Sequence, residues 1–296
     1  MTTATTSLPT KPAAAPRRKG GGKLRALRRN RLALTGGIIA TVFVVVALFA
    51  PLIAPYDPAQ PNFGNVLAEP GWSHWLGTDD LGRDQLSRIV YGARASMQVG
   101  LVAVVLAFLV GVPLGLLGGY YGKFADSAVS RLTDTMLAFP FLVLAVGLAA
   151  ILGPSLTNAT IAIGISQIPA VIRITRAETL RLRHADYVVA AIANGGGDGT
   201  LLFRHILPNA TSALTVQATV GIPAAIIGEA LLSFLGLGVQ PPDPSLGVML
   251  SGAQSFLAPA PWMAVFPGLA IVAATLAFNL LGDGLRDVLD PRGGTR

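Results

Sequence analysis

Few residues in this chain are of a type and spacing that could do chemistry. The histidines, His74, His184 and His205, are too scattered to make a metal cluster. With no cysteine there is no thiolate metal site, no disulfide framework and no thiol nucleophile. Nothing sets a nucleophile beside a base and an acid. Asp79, Asp80, Arg83, Asp84 and Arg88 crowd near His74. That cluster is either a metal or catalytic centre or a solvated, salt-bridged helix, and we read it as the helix. Glu229 is the one carboxylate placed within an otherwise apolar run. A buried acid there could hold a proton or ion, contact a substrate, or anchor a helix near a membrane surface.

A nucleotide site would show as G-x-x-x-x-G-K-[ST], whose backbone amides wrap phosphates. Gly122-Lys123-Phe124 and Gly22-Lys23-Leu24 lack both the upstream glycine and the Ser or Thr, and the glycines between Gly195 and Gly199 have no lysine. Any ATP that drives this protein therefore binds a partner, and no cofactor or metal is expected on the chain itself.

The elements that must position these residues are apolar and long. The 296 residues are 52% hydrophobic and only 12% charged, where soluble domains carry about 25% charge. This is the composition of a polytopic membrane protein. Nine of the 22 basic residues fall between Lys11 and Arg31 with no acid among them, beside an apolar run. Such a tail sets topology and touches anionic lipid rather than nucleic acid.

Residues 1–30 are too polar and too rich in Pro, Gly and Ala to build a core and are expected to be disordered. Leu32 to Ile53 is 22 residues without a charge, about 33 Å as a helix. We read it as an uncleaved first span (31–54), since a signal peptide's apolar region is roughly 7 to 15 residues. A polar segment over 55–94 follows, with a helix expected from about Asp80 to Ala93, capped by Thr78 or Asp79 and lying along the membrane surface through Leu81, Ile89 and Val90. A core over 95–285 and a charged tail over 286–296 complete the chain.

Within the core, Met97 to Tyr121 is uncharged, with Gly100, Gly111, Gly115, Gly118 and Gly119 suited to close helix packing. Gly122 to Asp134 is polar, and Met136 to Leu152 reads as a span. Leu156 to Ile172, interrupted by Asn158, Gln167 and Pro169, is either a tilted or broken span lining a pathway or a buried helix whose polar groups find partners. Thr211 to about Leu235 is apolar apart from Gln217 and Glu229, and Trp262 to Leu281 is the last span. Gln167, Gln217 and Glu229 are the candidate gate or pathway residues. With six spans and a cytoplasmic N-terminus, 19 basic residues face the cytoplasm against three outside, as the positive-inside rule requires.

Between the Leu156 to Ile172 run and the run from Thr211 lies His184 to Asn209, read as two short helices separated by a glycine break. Asp186 can cap the first, and Val188, Val189 and Ile192 give it an apolar stripe. Ala190 and Ala191 let another protein approach the backbone closely. Gly195, Gly196, Gly197 and Gly199 break the helix. Leu201, Leu202, Phe203 and Ile206 make a second apolar face that Pro208 ends. The residues alone leave open an ordinary amphipathic loop or a two-helix knob presented at a membrane surface.

The order Asp-Tyr-Val, Ala-Ala, Gly, His-Ile-Leu-Pro-Asn resembles the coupling loop of ABC-importer permeases: Glu-Ala-Ala, three residues, Gly, nine residues, an apolar residue, any residue, Leu-Pro. Ala190, Ala191, Gly195, Leu207 and Pro208 match in position and spacing. Val189 stands at the family's Glu, and His205 at the apolar position, as in the peptide-importing branch. His74 to Arg94 and Gly228 to Leu250 also resemble the dipeptide, oligopeptide and nickel permeases, specifically the C-type member of the permease pair.

The resemblance implies an all-α, type I ABC-importer (MetI-like) fold with six transmembrane helices, multi-pass in the bacterial plasma (inner) membrane with both termini cytoplasmic. It implies a pore subunit and not an enzyme, importing di- or oligopeptides, or alternatively nickel chelates, opines or glutathione; an ion-coupled carrier is the rival of a different class. The implied partners are a homologous second permease, two cytoplasmic ATPases that hold ATP and Mg, and an extracytoplasmic substrate-binding protein. The residues implied to touch the ATPases are Asp186, Tyr187, Val188, Val189, Ala190, Ala191, Gly195, His205, Leu207 and Pro208.

Overall fold

The computed structural model describes residues 30–289. The basic tail over 1–29 and residues 290–296 lie outside the described residues, and with them the expected disorder of the N-terminal tail. Among the described residues the fold is all-helical apart from an isolated bridge between Thr78 and Asp84.

Helix α1, Arg31–Leu48, starts where the Asn30 side chain accepts the amides of Leu32 and Ala33. It breaks at Phe49 and closes with one further turn, Ala50–Ile53, that carries Pro51. After a polar segment comes α2, Gln85–Tyr121, 37 residues without interruption. This corrects the expected surface helix from Asp80 to Ala93. The helix begins five residues later, at an Asp84 cap whose carboxylate accepts the Ser87 amide, and it runs straight on into the next span. Thr78 and Asp79 serve the preceding turn instead.

Gly122, at φ +64°, turns the chain into α3, Lys123–Leu137, an amphipathic helix where a polar connection was expected. Ala138 to Pro140 then bends it by 85° into α4, Phe141–Leu152. The apolar run from Met136 is therefore no straight span, because 12 residues reach about 18 Å against a hydrocarbon core of about 30 Å. Helix α5, Leu156–Leu182, passes through Pro169 unbroken, which removes the broken-span alternative.

The knob follows, with α6, Asp186–Ala193, and a helical lead-in that flows into α7, Leu207–Phe234. A short α8, Leu246–Ala253, and α9, Trp262–Leu289, finish the chain. Four helices among the described residues are long and apolar enough to cross a membrane, five if the bent α3 and α4 pair counts as one. Helix α5, long enough at 27 residues but more polar, makes the arrangement compatible with six.

Glycine seams set the packing. An added Cβ at Gly111, Gly115 or Gly119 of α2 would lie 2.7, 2.5 or 2.6 Å from Val171, Thr175 or Thr179 of α5. Both sets repeat every four residues, so two matched helix faces approach backbone to side chain. Helix α1 seats on α9 by the same device: Gly284 of α9 lies so close to Ala33 that a Cβ would fall 2.1 Å from its methyl. The fold has two ends, one bearing the knob and the other a cap built from residues 55–84 and the α7–α9 connection.

Candidate functional site

The knob is a packed segment with an apolar outer face. Its first helix, α6, places Val188 inward, fully buried against Leu116 of α2, Leu182 of α5 and Ala210 and Leu214 of α7, together with Leu201, Leu202 and Ile206. Tyr187, Val189 and Ile192 face outward at 42%, 52% and 50% exposure, and Phe203 joins them at 67%. The expected stripe of Val188, Val189 and Ile192 is thus divided between base and surface, because the adjacent Val188 and Val189 point about 100° apart and only Val188 lies over the spans. Ala190 is exposed and Ala191 half-buried. Asp186 occupies the first helical position and does not cap; Ala185 holds the cap position without a side-chain bond.

The glycines do distinct jobs. Gly195 takes φ +78°, and its amide donates to Ile192 O at 2.9 Å while the Gly196 amide donates to Ala191 O at 2.9 Å. Two such bonds around a left-handed residue close a helix C-terminus by satisfying its last carbonyls. Gly196 is required by space, since a Cβ would sit 2.8 Å from Ala191 O. Gly197 and Gly199 have open surroundings and ordinary φ.

Pro208 corrects the expected stop. It lies in the first turn of α7, which continues to Phe234. The chain enters it through a wide π-type turn, Leu201–Ile206. A proline ring collides with the carbonyl four residues before it in a regular helix, and the wider turn makes room. His205 is half-buried with its carbonyl accepting from Asn209 Nδ2, Leu207 packs on the knob's base, and Pro208 is exposed.

Three contacts that spacing could not show tie the knob end together. Tyr120 donates to Asp198 Oδ1 at 2.9 Å, Arg183 donates to Gly119 O at 3.1 Å, and Arg176 clasps Asp126 of α3 through Nε and, at 2.9 Å, through Nη2. Each joins residues 50 to 78 positions apart; only the acid and base types hinted at one of them.

The three candidate pathway residues have separate surroundings. Gln167 is buried and donates to Gly221 O of α7 at 3.3 Å, a helix-to-helix bond. Gln217 lines a groove of about 520 Å³ between α5, α7 and α9, with Glu178, Arg181 and Arg286. Glu229 is fully buried, with Oε2 accepting from Ser96 of α2 at 2.7 Å and Oε1 from Ser233 at 2.8 Å. Ser233 Oγ also accepts the Val239 amide at 3.2 Å. This makes Glu229 a pin between two spans and the connection beyond α7, with both oxygens engaged.

The His74 cluster belongs to the cap; its expected salt bridges are present, but His74, Asp79, Asp84 and Arg88 are buried, which corrects the reading of a solvated helix. His74 Nδ1 lies 2.9 Å from Asp84 Oδ1, Asp79 meets Arg83 Nε at 2.7 Å, and Arg88 donates to Pro58 O at 2.7 Å. Trp262 of α9 reaches Thr78 O at 3.1 Å. Buried charges persist only when paired and hydrogen-bonded, and here they fasten the cap to α2 and α9. Among the described residues no group of His, Asp and Glu is arranged to hold a metal.

A family model described as a binding-protein-dependent transport system inner membrane component matches residues 111–293. A second, described as the N-terminal TM domain of oligopeptide transport permease C, matches residues 23–70. The chain is 49% identical over 268 residues to the dipeptide transport system permease protein of Alkalihalophilus pseudofirmus, covering 90% of this chain and 88% of that protein. It is 46% identical to the di/tripeptide transport system permease protein of Pseudomonas aeruginosa, with 90% of each covered. It is 43% identical to the glutathione transport system permease protein of Pectobacterium atrosepticum, covering 90% and 89%. Among solved structures, an inward-facing conformation of the MetNI methionine ABC transporter aligns with a TM-score of 0.57 at 19% identity, over 69% of this chain and 97% of that one, a likeness of fold.

Proposed function

The chain belongs to the family of binding-protein-dependent transport system inner membrane components, and from that premise we propose that it is the membrane-spanning permease subunit through which an ATP-driven importer admits short peptides. The knob carries the reading: an exposed apolar face, Tyr187, Val189, Ile192 and Phe203, on a base shared with three spans. A partner that moves this face moves α2, α5 and α7 with it.

In this reading the knob end lies in the cytoplasm and meets one of two ATPase subunits, which hold ATP and Mg. ATP closes the ATPase dimer, the knob is carried inward, and the spans rock so that the cap end opens to a substrate-binding protein. A second, homologous permease forms the other half of the path. ADP and phosphate release restore the inward-open state. The cap and the Glu229 pin hold the outer ends of α2 and α7 together during this motion. The membrane is the bacterial inner membrane, with both termini in the cytoplasm.

Peptide is favoured as cargo by the named activities of the 49% and 46% identical relatives. Glutathione, itself a tripeptide, is the second reading, favoured by the 43% identical relative. The complex reconstituted with its binding protein should accumulate labelled dipeptide only with internal ATP, and excess glutathione should leave that uptake intact. Uptake of glutathione alone moves the assignment to the second reading; dipeptide uptake without ATP, abolished by ionophores, removes the importer.

A further inference from the structure

At the cap end a groove of about 460 Å³ opens between the first turns of α2, the turn joining α4 to α5, and the connection beyond α7. Its size falls in the range of about 300–1,000 Å³ typical of small-molecule sites. Helix α2 contributes Tyr91, Arg94 and Gln98, which share one helix face at spacings of three and seven. The connection contributes Asp243, and Leu156 and Val239 supply apolar lining.

The charges in this groove differ from the buried, paired charges of the cap. Asp79 is engaged by Arg83 and Arg88, and Asp84 by His74. Arg94 and Asp243 are exposed, come from different elements, and among the described residues take part in no salt bridge. The frame around them is held firmly. Ser96, two residues from Arg94 and pointing the other way, bonds Glu229, and Ser233 ties Glu229 to the Val239 amide. One free cation and one free anion therefore sit in a single groove, with apolar lining, on a pinned scaffold.

We propose that this groove takes a short zwitterionic peptide at the mouth of the path, with the Arg94 guanidinium on its carboxylate, the Asp243 carboxylate on its ammonium, and its side chains over Leu156 and Val239. A guanidinium presents a planar fork that matches a carboxylate, and an ammonium is a compact donor that an exposed carboxylate accepts. Two or three extended residues separate the terminal charges of such a peptide by about 7–10 Å. The proposal rests on the importer reading and adds to it a subsite that selects for free termini.

The test uses the complex purified from its host without the binding protein. Dialanine, N-acetyl-dialanine and dialanine amide are titrated against it at equilibrium. The wild type should bind dialanine roughly three- to tenfold more tightly than either blocked form. Arg94→Gln should bind dialanine and its amide equally while still rejecting the acetylated form, and Asp243→Asn should show the reverse pattern. No binding of dialanine, equal binding of all three peptides, or unchanged selectivity in both variants overturns the proposal. Hydrolysis of ATP stimulated by the loaded binding protein is measured on the same samples. If it persists while selectivity is absent, the groove alone is wrong, and if the wild type shows none, the importer reading fails. If Arg94→Gln weakens attachment of the binding protein without changing peptide selectivity, the groove is a docking surface and the proposal is overturned.

Discussion

The Ser96 hydroxyl donates to Glu229 Oε2 at 2.7 Å across 133 positions of sequence. With Ser233 on the other oxygen, the carboxylate joins α2 to α7 in a site closed to solvent. An acid that cycles an ion needs a ligand path to at least one oxygen, whereas here both oxygens are occupied by hydroxyls of the protein itself.

The first prediction concerns that pin. Glu229→Ala leaves two buried hydroxyls without their acceptor, at about 1–3 kcal/mol each. Its thermal unfolding in mild detergent should begin several degrees below that of the wild type. ATP-driven uptake by Glu229→Gln should not respond to ionophores. An unfolding curve unchanged in Glu229→Ala contradicts the pin.

The glycines of the knob should separate by role. Gly195→Ala forces an L-residue into the left-handed region, at about 1–2 kcal/mol, and Gly196→Ala meets the Ala191 carbonyl. Both should lower the peptide taken up per ATP hydrolysed. Gly197→Ala and Gly199→Ala should leave the ratio within error. Equal effects at all four positions would contradict the assigned geometry.

Val189 is 52% exposed, at the position where the coupling-loop pattern that this stretch resembles has Glu. Val189→Glu places a solvated charge on the outer face at no cost to the fold, and if Val189 weakens one ATPase contact it should tighten assembly. Slower dissociation of the ATPases on a washed affinity column checks this. Faster dissociation counts against it.

The seat of α1 on α9 predicts that Gly284→Leu, which cannot fit beside Ala33, separates the two helices. Detergent stability should fall while the core of α2, α5 and α7 stays folded, seen as early proteolysis confined to the N-terminal region. Simultaneous proteolysis throughout the chain would contradict an independently packed core.

Much of this was legible in the sequence because it depends on local pattern. The apolar runs locate most of the spans, and the glycines between Met97 and Tyr121 signalled close helix packing, though not that Gly111, Gly115 and Gly119 meet α5. The knob was legible through its Ala-Ala, Gly and Leu-Pro spacing. What escaped depends on tertiary surroundings. Asp79 and Thr78 are good caps by residue type, yet the helix starts at Gln85 because Thr78 and Asp79 are committed to the cap's own turns. Pro208 reads as a stop, yet a wide turn ahead of it lets the helix continue. The split of α6 into a buried Val188 and an exposed Val189 follows from which spans lie beneath it. The Tyr120–Asp198 and Arg176–Asp126 contacts join residues no window spans.

The central claim, that the outer face of α6 is where an ATPase docks, is tested most directly at Ala190, which is exposed and can take a large side chain without disturbing the lever's base. The measurement is the protein composition of the complex recovered on tagged wild type and on Ala190→Trp from the native host. The account predicts two ATPases and a second permease with the wild type, and the second permease with the ATPases depleted for Ala190→Trp. Recovery of the ATPases in equal amount with both, or of the wild-type chain alone, would contradict it.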